Sequence, residues 1–551
     1  MSISVIIPPK AAGYRLSEWL IAAGYSVPSP CGGHGRCGKC HVKLISGTFW
    51  TYPIQGEPKP IILDAEGNFL ACRAVCTSAG ATVLLPELSG NGLVYSNAEA
   101  DATESVQEQS DDSQCAYGIA LDIGTTTLAA ALVNRYNGSI LSTASCLNPQ
   151  QSLGADVVSR IDACSKGQLL QLQQQVLSAI HRLIEQLLST HQNIVAAPDM
   201  IVVGNTTMLH LFCGISPEGM GRYPFTPVFT EVKELSGTEL DLPVGRITLL
   251  PSISAFVGSD ITAGMLACGM QISDVCNTHP VLLLDIGTNG EMVLQTMKEN
   301  SEKLYAASTA AGPALEGANI SCGMGGVAGA VSAIRQGENG EYIFRTVDDA
   351  PAVGLCGCGL IDFVAMLCRE GIIDETGYLD SDEEENDGMT RVTLYGLWER
   401  EDGLHTPDGS LPPRVGTVPS VALTQKDIRE FQLAKSAIRA GIEALLAEAD
   451  MIPEEFVAAG GHVYLAGGMG YFLCPESAVR IGLLPPAFAT VVSAVGNSAL
   501  AGAIRALCNK DAVSIMSYTA QSCHIVELNQ SSVFNDGFIE YMMFPEVQAG
   551  D

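Results

Sequence analysis

LLLDIGTNGEMVL, residues 282–294, is the stretch that decides the fold. Three leucines, Leu282 to Leu284, run into Asp285 and then into Gly287-Thr288-Asn289-Gly290-Glu291. An upstream near-copy, IALDIGTTTLAAAL at 119–132, carries Asp122 followed by Gly124-Thr125-Thr126-Thr127. Each pattern predicts an apolar strand, a tight glycine turn bearing hydroxyls, and a second strand. A strand that delivers a carboxylate beside a Gly-Thr turn suits a nucleotide. The carboxylate holds Mg²⁺ through water, and glycine lets backbone N–H groups approach phosphate oxygens. Two such turns predict a duplicated domain gripping one nucleotide from both sides.

Working outward, composition narrows the classes. The 551 residues allow three or four domains at about 100–200 residues each. With 47% hydrophobic and 16% charged residues, large buried cores are expected. No apolar run reaches the ~18 residues of a membrane span. The first residues, MSISVIIPPKAAGYRL, lack the charged and apolar regions of a signal peptide. A net charge of −31 argues against nucleic acid, whose phosphates would be repelled. Many of the 18 cysteines lie in apolar segments, as Cys268, Cys368 and Cys508 do, and read as reduced core thiols of a cytoplasmic protein.

Residues 1–88 form the first expected domain. A short alternating strand (SISVIIPP), a helix over 15–25 and the strands HVKLISG and ATVLLPE surround the loop CGGHGRCGKC. Cys31, Cys37 and Cys40, with Cys72 further on, give C-x5-C-x2-C…C, one residue longer in its first gap than the plant-type [2Fe–2S] spacing. The loop glycines allow tight wrapping around a cluster. A zinc site would ordinarily present two C-x2-C pairs, and only one is found. Cys76 is the alternative fourth ligand; Cys72 is preferred because LAC followed by a basic residue resembles the fourth-ligand motif of these ferredoxins.

Residues 89–115 read as an acidic, flexible linker, with six acids and no Lys or Arg between Ser96 and Gln114. Residues 116–270 are the first half of the expected clamp and 271–510 the second, with 511–551 a strand-containing extension. Asn137-Gly138 signals a hairpin turn, and residues 168–188 a long amphipathic helix. Asp260 falls at an expected helix start, either as its N-cap or as a group orienting the attacking water. The glycine-rich 309–331 segment predicts close approach of backbone or ligand. Cys356 and Cys358 read as small residues at a helix start, and 374–387 as an exposed acidic loop. Residues 424–450 are the clearest helix, with Thr424 and Asp427 as a capping pair. A strand at 461–470 ends in Gly467-Gly468, where a base or ribose finds bare backbone, and GNSALAGA (496–503) predicts closely crossing helices.

In order, DIGTTT, the helix at Asp260, DIGTNGE, LAGG and GNSALAGA resemble the five-part signature of the acetate and sugar kinase/Hsc70/actin (ASKHA) superfamily. With the ferredoxin unit, GNTTMLHLF, TQKDIREFQLAKSAIRAG and IGLLP, residues 3 to 508 resemble the reductive activators of corrinoid proteins. Cys358 departs from that family's usual CGSG. The resemblance implies an α/β and α+β multidomain chain: an N-terminal β-grasp ferredoxin-like domain, then a duplicated RNase H-like (actin/Hsp70-type) fold. It implies an ATP-hydrolysing enzyme with a [2Fe–2S] cluster on Cys31, Cys37, Cys40 and Cys72, and Mg²⁺ held through water by Asp122 and Asp285. Gly124, Thr125, Thr126, Thr127, Gly287, Thr288, Asn289 and Gly290 would meet phosphates, and Gly467 and Gly468 adenosine. Asp260 or Glu291 would position water. The partners implied are a corrinoid protein in the Co(II) state, a low-potential donor such as a ferredoxin or flavodoxin, and a second copy in a homodimer. An activator of the 2-hydroxyacyl-CoA dehydratase type and a non-catalytic redox adaptor are the other readings.

Overall fold

In a computed structural model the chain separates into two compact units, Met1–Glu104 and Ser105–Asp551. The structure describes residues 3–22, 41–52, 58–63, 67–85, 116–154, 156–189, 191, 194, 197–272, 279–298, 301–317, 319–326, 328–337, 340–381, 390–400, 402–408, 415–467 and 473–546. The cluster loop with Cys31, Cys37 and Cys40, the whole of the expected linker, and Gly468 lie outside them.

The first unit is ferredoxin-like. Strands β1 (Ile3–Ile7), β2 (His41–Thr51), β3 (Asn68–Leu70) and β4 (Ala74–Leu85) form an antiparallel sheet in the order β1-β4-β2-β3. Helix α1 (Leu16–Ala22) buries Leu16 and Leu20 in one core with Val42, Phe49, Phe69 and Val83.

The second unit is built twice over. Its first half contains β5 (Tyr117–Ile123), β6 (Thr127–Asn134), β7 (Ile140–Leu147), β8 (Asp199–Gly204), β9 (Lys233–Ser236) and β10 (Arg246–Leu249), in the order β7-β6-β5-β8-β10-β9. Helices α2 (Val157–Ser165), α3 (Leu169–Ser189), α4 (Thr206–Cys213) and α5 (Ser259–Ala267) belong to this half. The second half opens with β11 (Val281–Ile286), β12 (Gly290–Lys298) and β13 (Ser301–Thr309). An inserted sheet follows, made of β14 (Ala330–Gln336), β15 (Tyr342–Thr346), β16 (Gly354–Leu355), β17 (Arg391–Arg400), β18 (Gly403–His405) and β19 (Gly416–Thr424). Helices α6 (Gly357–Arg369), α7 (Gln425–Glu448) and α8 (Pro453–Ala458) lead to β20 (His462–Ala466), α9 (Pro475–Arg480), β21 (Val492–Gly496) and α10 (Ser498–Cys508). Last come α11 (Ala512–Gln521), β22 (Cys523–Ile525) and α12 (Ser532–Glu540).

The two main sheets repeat one plan. In each, an antiparallel three-strand meander (β7-β6-β5; β13-β12-β11) continues into two parallel strands (β8-β10; β20-β21), and a helix follows the last (α5; α10). The meanders form because their residues alternate into buried faces: Leu121 and Ile123 on β5, Leu282 and Leu284 on β11.

The two helices α5 and α10 cross so closely that a Cβ on Gly502 would lie 1.8 Å from the Ala263 carbonyl oxygen. That contact is why GNSALAGA is built from small residues. The capping pair on α7 forms as read, with the Thr424 hydroxyl and Asp427 carboxylate satisfying each other's backbone N–H groups. The C-terminal residues are part of the second half: β22 pairs with β13, and α12 packs on α7. No helix among the described residues is long and apolar enough to cross a membrane.

Candidate functional site

Strand β5 ends at Asp122-Ile123, and the chain turns through Gly124 to Thr127. Every carbonyl of that turn is engaged on the protein side. Asn148 Nδ2 donates to Gly124 O (2.8 Å), Arg160 Nη2 to Thr125 O (2.6 Å), the Asn148 amide to Thr126 O (2.8 Å), and the Gly124 amide to Thr127 O (3.0 Å). In a trans peptide the N–H opposes its C=O. The N–H groups of Thr125, Thr126 and Thr127 therefore point away from the partners that hold the carbonyls, an arrangement suited to an anion. Asn205, the N-cap of α4, donates to the Thr125 hydroxyl at 3.0 Å.

The second turn is one residue tighter. Ile286 pairs with Gly290, and the Gly287 amide donates to Asn289 O (2.9 Å). Gly290 has no room for a side chain: a Cβ there would lie 2.1 Å from Ile438 Cδ1 on α7. The Thr288 hydroxyl donates to exposed Glu316.

Four carboxylates gather at these turns, two from each half. Asp285 and Glu291 are directly opposite in the β11–β12 register, so their side chains share one face of the sheet. Asp260 lies in the first turn of α5; the N-cap is Gly258, which carries no side-chain cap, so Asp260 is not the N-cap considered for it. The Asp260 Oδ1 accepts from the Ile261 amide at 2.9 Å. From the far half, Asn497, the N-cap of α10, donates Nδ2 to Asp122 Oδ2 at 2.8 Å. Gly467, at φ +90°, brings bare backbone to the same place: a Cβ would lie 2.7 Å from Asp285 Oδ1.

Crowding raises every one of these acids. Burial pushes the Asp122 carboxyl up to about 6, with the Asn497 bond opposing. Burial, then the charges of Asp122 and Glu316, push Asp285 up to about 7. Asp260 is raised by burial and by Asp285 and Asp122, and Glu291 by burial and by Asp260 and Asp285. These mutual effects run between halves, so the four carboxylates form one negative focus in a cleft that still admits solvent. Among the described residues no three His, Cys, Asp or Glu side chains close on one point to ligate a metal directly. An octahedral Mg²⁺ that keeps its waters fits such a set.

The glycine-rich segment divides by role. Gly317 and Gly323 are needed where the chain folds on itself, with a Cβ on Gly323 only 2.0 Å from Gly317 O. Gly312, Gly325 and Gly326 present backbone to open space. In the first unit, Cys72 is buried on a 3-10 turn, Ala71–Arg73, between β3 and β4. Cys76 lies inside β4 opposite Phe49, its thiol pushed up to about 11 by burial.

Comparison with known proteins identifies the architecture. Family models match in tandem: a 2Fe-2S iron-sulfur cluster binding domain at 5–77, the RACo middle region at 117–273, and the C-terminal domain of RACo, the ASKHA domain, at 279–550. The corrinoid activation enzyme RamQ of Eubacterium limosum is 31% identical over 457 residues, 78% of this chain and 70% of RamQ. The chain belongs to the family of reductive activators of corrinoid proteins. The [Co(II) methylated amine-specific corrinoid protein] reductase of Methanosarcina barkeri is 26% identical, over 70% of this chain and 68% of its own length. The solved structure of a reductive activator for corrinoid, iron-sulfur protein superposes with a TM-score of 0.66 at 28% identity, covering 99% of this chain and 97% of that one. The 2Fe-2S ferredoxin-5 of Aquifex aeolicus (strain VF5) is 37% identical over 73 residues, 12% of this chain and 76% of the ferredoxin.

Within this activator fold, sequence reasoning passed over Asn205, Asn497, Glu316 and Arg160. Two of them carried a signal. Gly204-Asn205-Thr206 and Gly496-Asn497-Ser498 repeat one pattern, a strand's last glycine followed by a helix-capping asparagine. Arg160 and Glu316 reach the turns from other elements and had no local mark.

Proposed function

We propose that the chain is an ATP-dependent enzyme that returns the Co(II) corrinoid of a methyltransferase-system corrinoid protein to Co(I). One electron leaves the reduced cluster for each cobalt reduced, and ATP is hydrolysed by water to ADP and phosphate. The observation that carries this reading is the convergence of Asp122 and Asp260 from one half with Asp285 and Glu291 from the other, beside a helix pair that crosses at Gly502 against the Ala263 backbone.

When bound, a [2Fe–2S] cluster supplies the low-potential electron. Cys31, Cys37, Cys40 and Cys72 would hold it; the turn position of Cys72 suits a ligand better than the strand position of Cys76. Plant-type clusters sit near about −400 mV. An acceptor a few hundred millivolts lower makes the transfer uphill by several kcal/mol, at about 1.4 kcal/mol per ~59 mV.

Mg²⁺ would supply positive charge against the negative focus, and Asp122 and Asp285 would hold it through water. The amides of Thr125 to Thr127 and the Thr288-Asn289 turn take phosphate oxygens. Gly467 leaves space for adenosine, and Gly468 is the second residue assigned to it. Asp260 or Glu291, both raised and both near Asp285, orients the attacking water and accepts its proton. A ligand that binds the closed cleft more tightly than the open one shifts the helix pair α5–α10. That shift changes how the enzyme holds the Co(II) partner.

The donor is a ferredoxin or flavodoxin, the compartment the cytoplasm, and the second unit the surface for a homodimer. The test is anaerobic. Reduced enzyme, Mg²⁺-ATP and candidate Co(II) corrinoid proteins are mixed, and Co(I) absorbance is followed. ATP-dependent Co(I) is expected; its absence with every candidate, or full activity after Asp122→Asn with Asp285→Asn, refutes the reading.

A further inference from the structure

The structure assigns to Arg160 a part in nucleotide binding: we infer that it is the buried charge that draws the polyphosphate onto the first turn. The inference rests on the cleft being the nucleotide site and names the charge that strengthens one of its two phosphate turns.

Arg160 sits on α2 with no solvent exposure, among the largest fully buried side chains in the chain. Its guanidinium donates to Thr125 O at 2.6 Å, Gly154 O at 3.0 Å and Gln150 Oε1 at 3.1 Å, and approaches Met208 Sδ at 3.0 Å. All these partners are neutral. Among the described residues no carboxylate lies within ion-pair distance of it, and Asp156, the cap of α2, acts only at longer range. Space is reserved for it as well, since a Cβ on Gly154 would lie 2.9 Å from Arg160 Cγ.

A purely structural brace has no need of the charge. Three neutral donors would satisfy the same carbonyl and amide oxygens without removing a cation from water, which costs several kcal/mol. Burial lowers the guanidinium only to about 10, so it stays charged at neutral pH. Its position directs that charge. By taking Thr125 O it polarises the Thr125–Thr126 peptide and strengthens the opposing N–H as a donor. The second turn is backed by the reverse sign: Thr288 leans on Glu316, and Asp285 faces Glu291. A buried cation behind the first turn favours polyphosphate oxygens on Thr125 to Thr127, while the divalent cation falls between Asp122 and Asp285.

The experiment is titration of the full chain with Mg²⁺ and ATP, ADP or adenosine, for the wild type, Arg160→Gln and Arg160→Lys, each checked for a cooperative melt. A charge effect grows with the number of phosphates. Arg160→Gln is expected to weaken ATP by tenfold or more, ADP by less, and adenosine by less than twofold, while Arg160→Lys stays within about threefold of the wild-type ratio of ATP to adenosine affinity. Equal losses for all three ligands, or no loss, overturn the inference. If Arg160→Gln does not fold, Arg160→Lys decides: a collapsed ATP-to-adenosine ratio means the contacts, not the charge, matter. If the wild type binds none of the three, the nucleotide reading itself fails.

Discussion

Asp285 and Glu291 face each other across one rung of a β ladder, a pairing of like charges that costs stability where no cation lies between them. The first half solves the same position differently: Asp122 is opposite Ala129, and its carboxylate takes its hydrogen bond from Asn497 in the other half. Asn497 thus has two partners, Asp122 through Nδ2 and the Leu500 amide through Oδ1. Substitutions separate them. Asn497→Asp keeps the cap but sets a carboxylate against Asp122, so kcat/KM for Mg²⁺-ATP is expected to fall at least tenfold and the ligand-free melting temperature to drop more at pH 8 than at pH 5.5. Asn497→Ala loses both bonds and about 1 kcal/mol from the cap. Steady-state ATPase kinetics with thermal melts check the pair, and equal behaviour of the two variants would count against a cross-cleft role.

At the scale of elements, the α5–α10 crossing is the tightest feature the nucleotide cleft depends on. Gly502→Ala pushes a methyl group into the Ala263 carbonyl, so the helices must separate. Overpacking of this kind costs about 1–3 kcal/mol. Because both helix starts carry cleft residues, Asp260 and Asn497, ATPase activity is expected to fall by more than the stability loss accounts for. The α7 cap also does more than end a helix. Asp427 Oδ1 accepts from both the amide and the hydroxyl of Ser321, tying the glycine-rich segment to α7. Asp427→Asn should therefore destabilise the protein more than Thr424→Ser, which keeps its hydroxyl; denaturant melts of the two variants give the comparison.

Across the whole molecule, charge and the C-terminal segment set the stability. The folded, ligand-free cleft holds Asp122 near 6 and Asp285 near 7, above the ~3.9 of an unfolded aspartate. The folded state favours the protonated forms. The stability linked to these acids is complete below about pH 4 and is lost as the pH rises through 6 and 7. Between pH 5.5 and 8 the melting temperature of the ligand-free protein should fall, and the gain from Mg²⁺-ADP should be larger at pH 8. Asp122→Asn with Asp285→Asn should flatten both trends in a thermal-shift series at constant ionic strength. Far from the cleft, the fully buried Lys435 on α7 donates to Tyr541 O and to Met543 O (2.8 Å), while Gln432 holds Met542 O (2.7 Å). Ending the chain before Ser532 removes these acceptors together with Phe538 and Phe544, which pack on the core of the second half. A truncated variant should melt well below the full chain in a thermal-shift assay.

Short-range patterns were legible from residues alone. The apolar run ending in Asp285, its copy ending in Asp122, the cysteine spacing and the Thr424–Asp427 cap are written within a few positions each, because strand alternation, turn chemistry and capping act over that range. The doubled sheet follows from the doubled motif, and the small residues of GNSALAGA announce a close crossing without naming Ala263 as the other side. What only the tertiary structure decided is which residues meet across the cleft. Asn497 and Asp122 are 375 positions apart, and Arg160 on α2 reaches the turn residue Thr125 from 35 positions away. No periodicity encodes such a meeting, since it depends on how two sheets are placed by the helices between them. The opening stretch alone specified a carboxylate beside a glycine turn. The folded chain set a second carboxylate opposite it and two more from the other half, because burial of the two repeats on one helix pair leaves their strand ends facing each other.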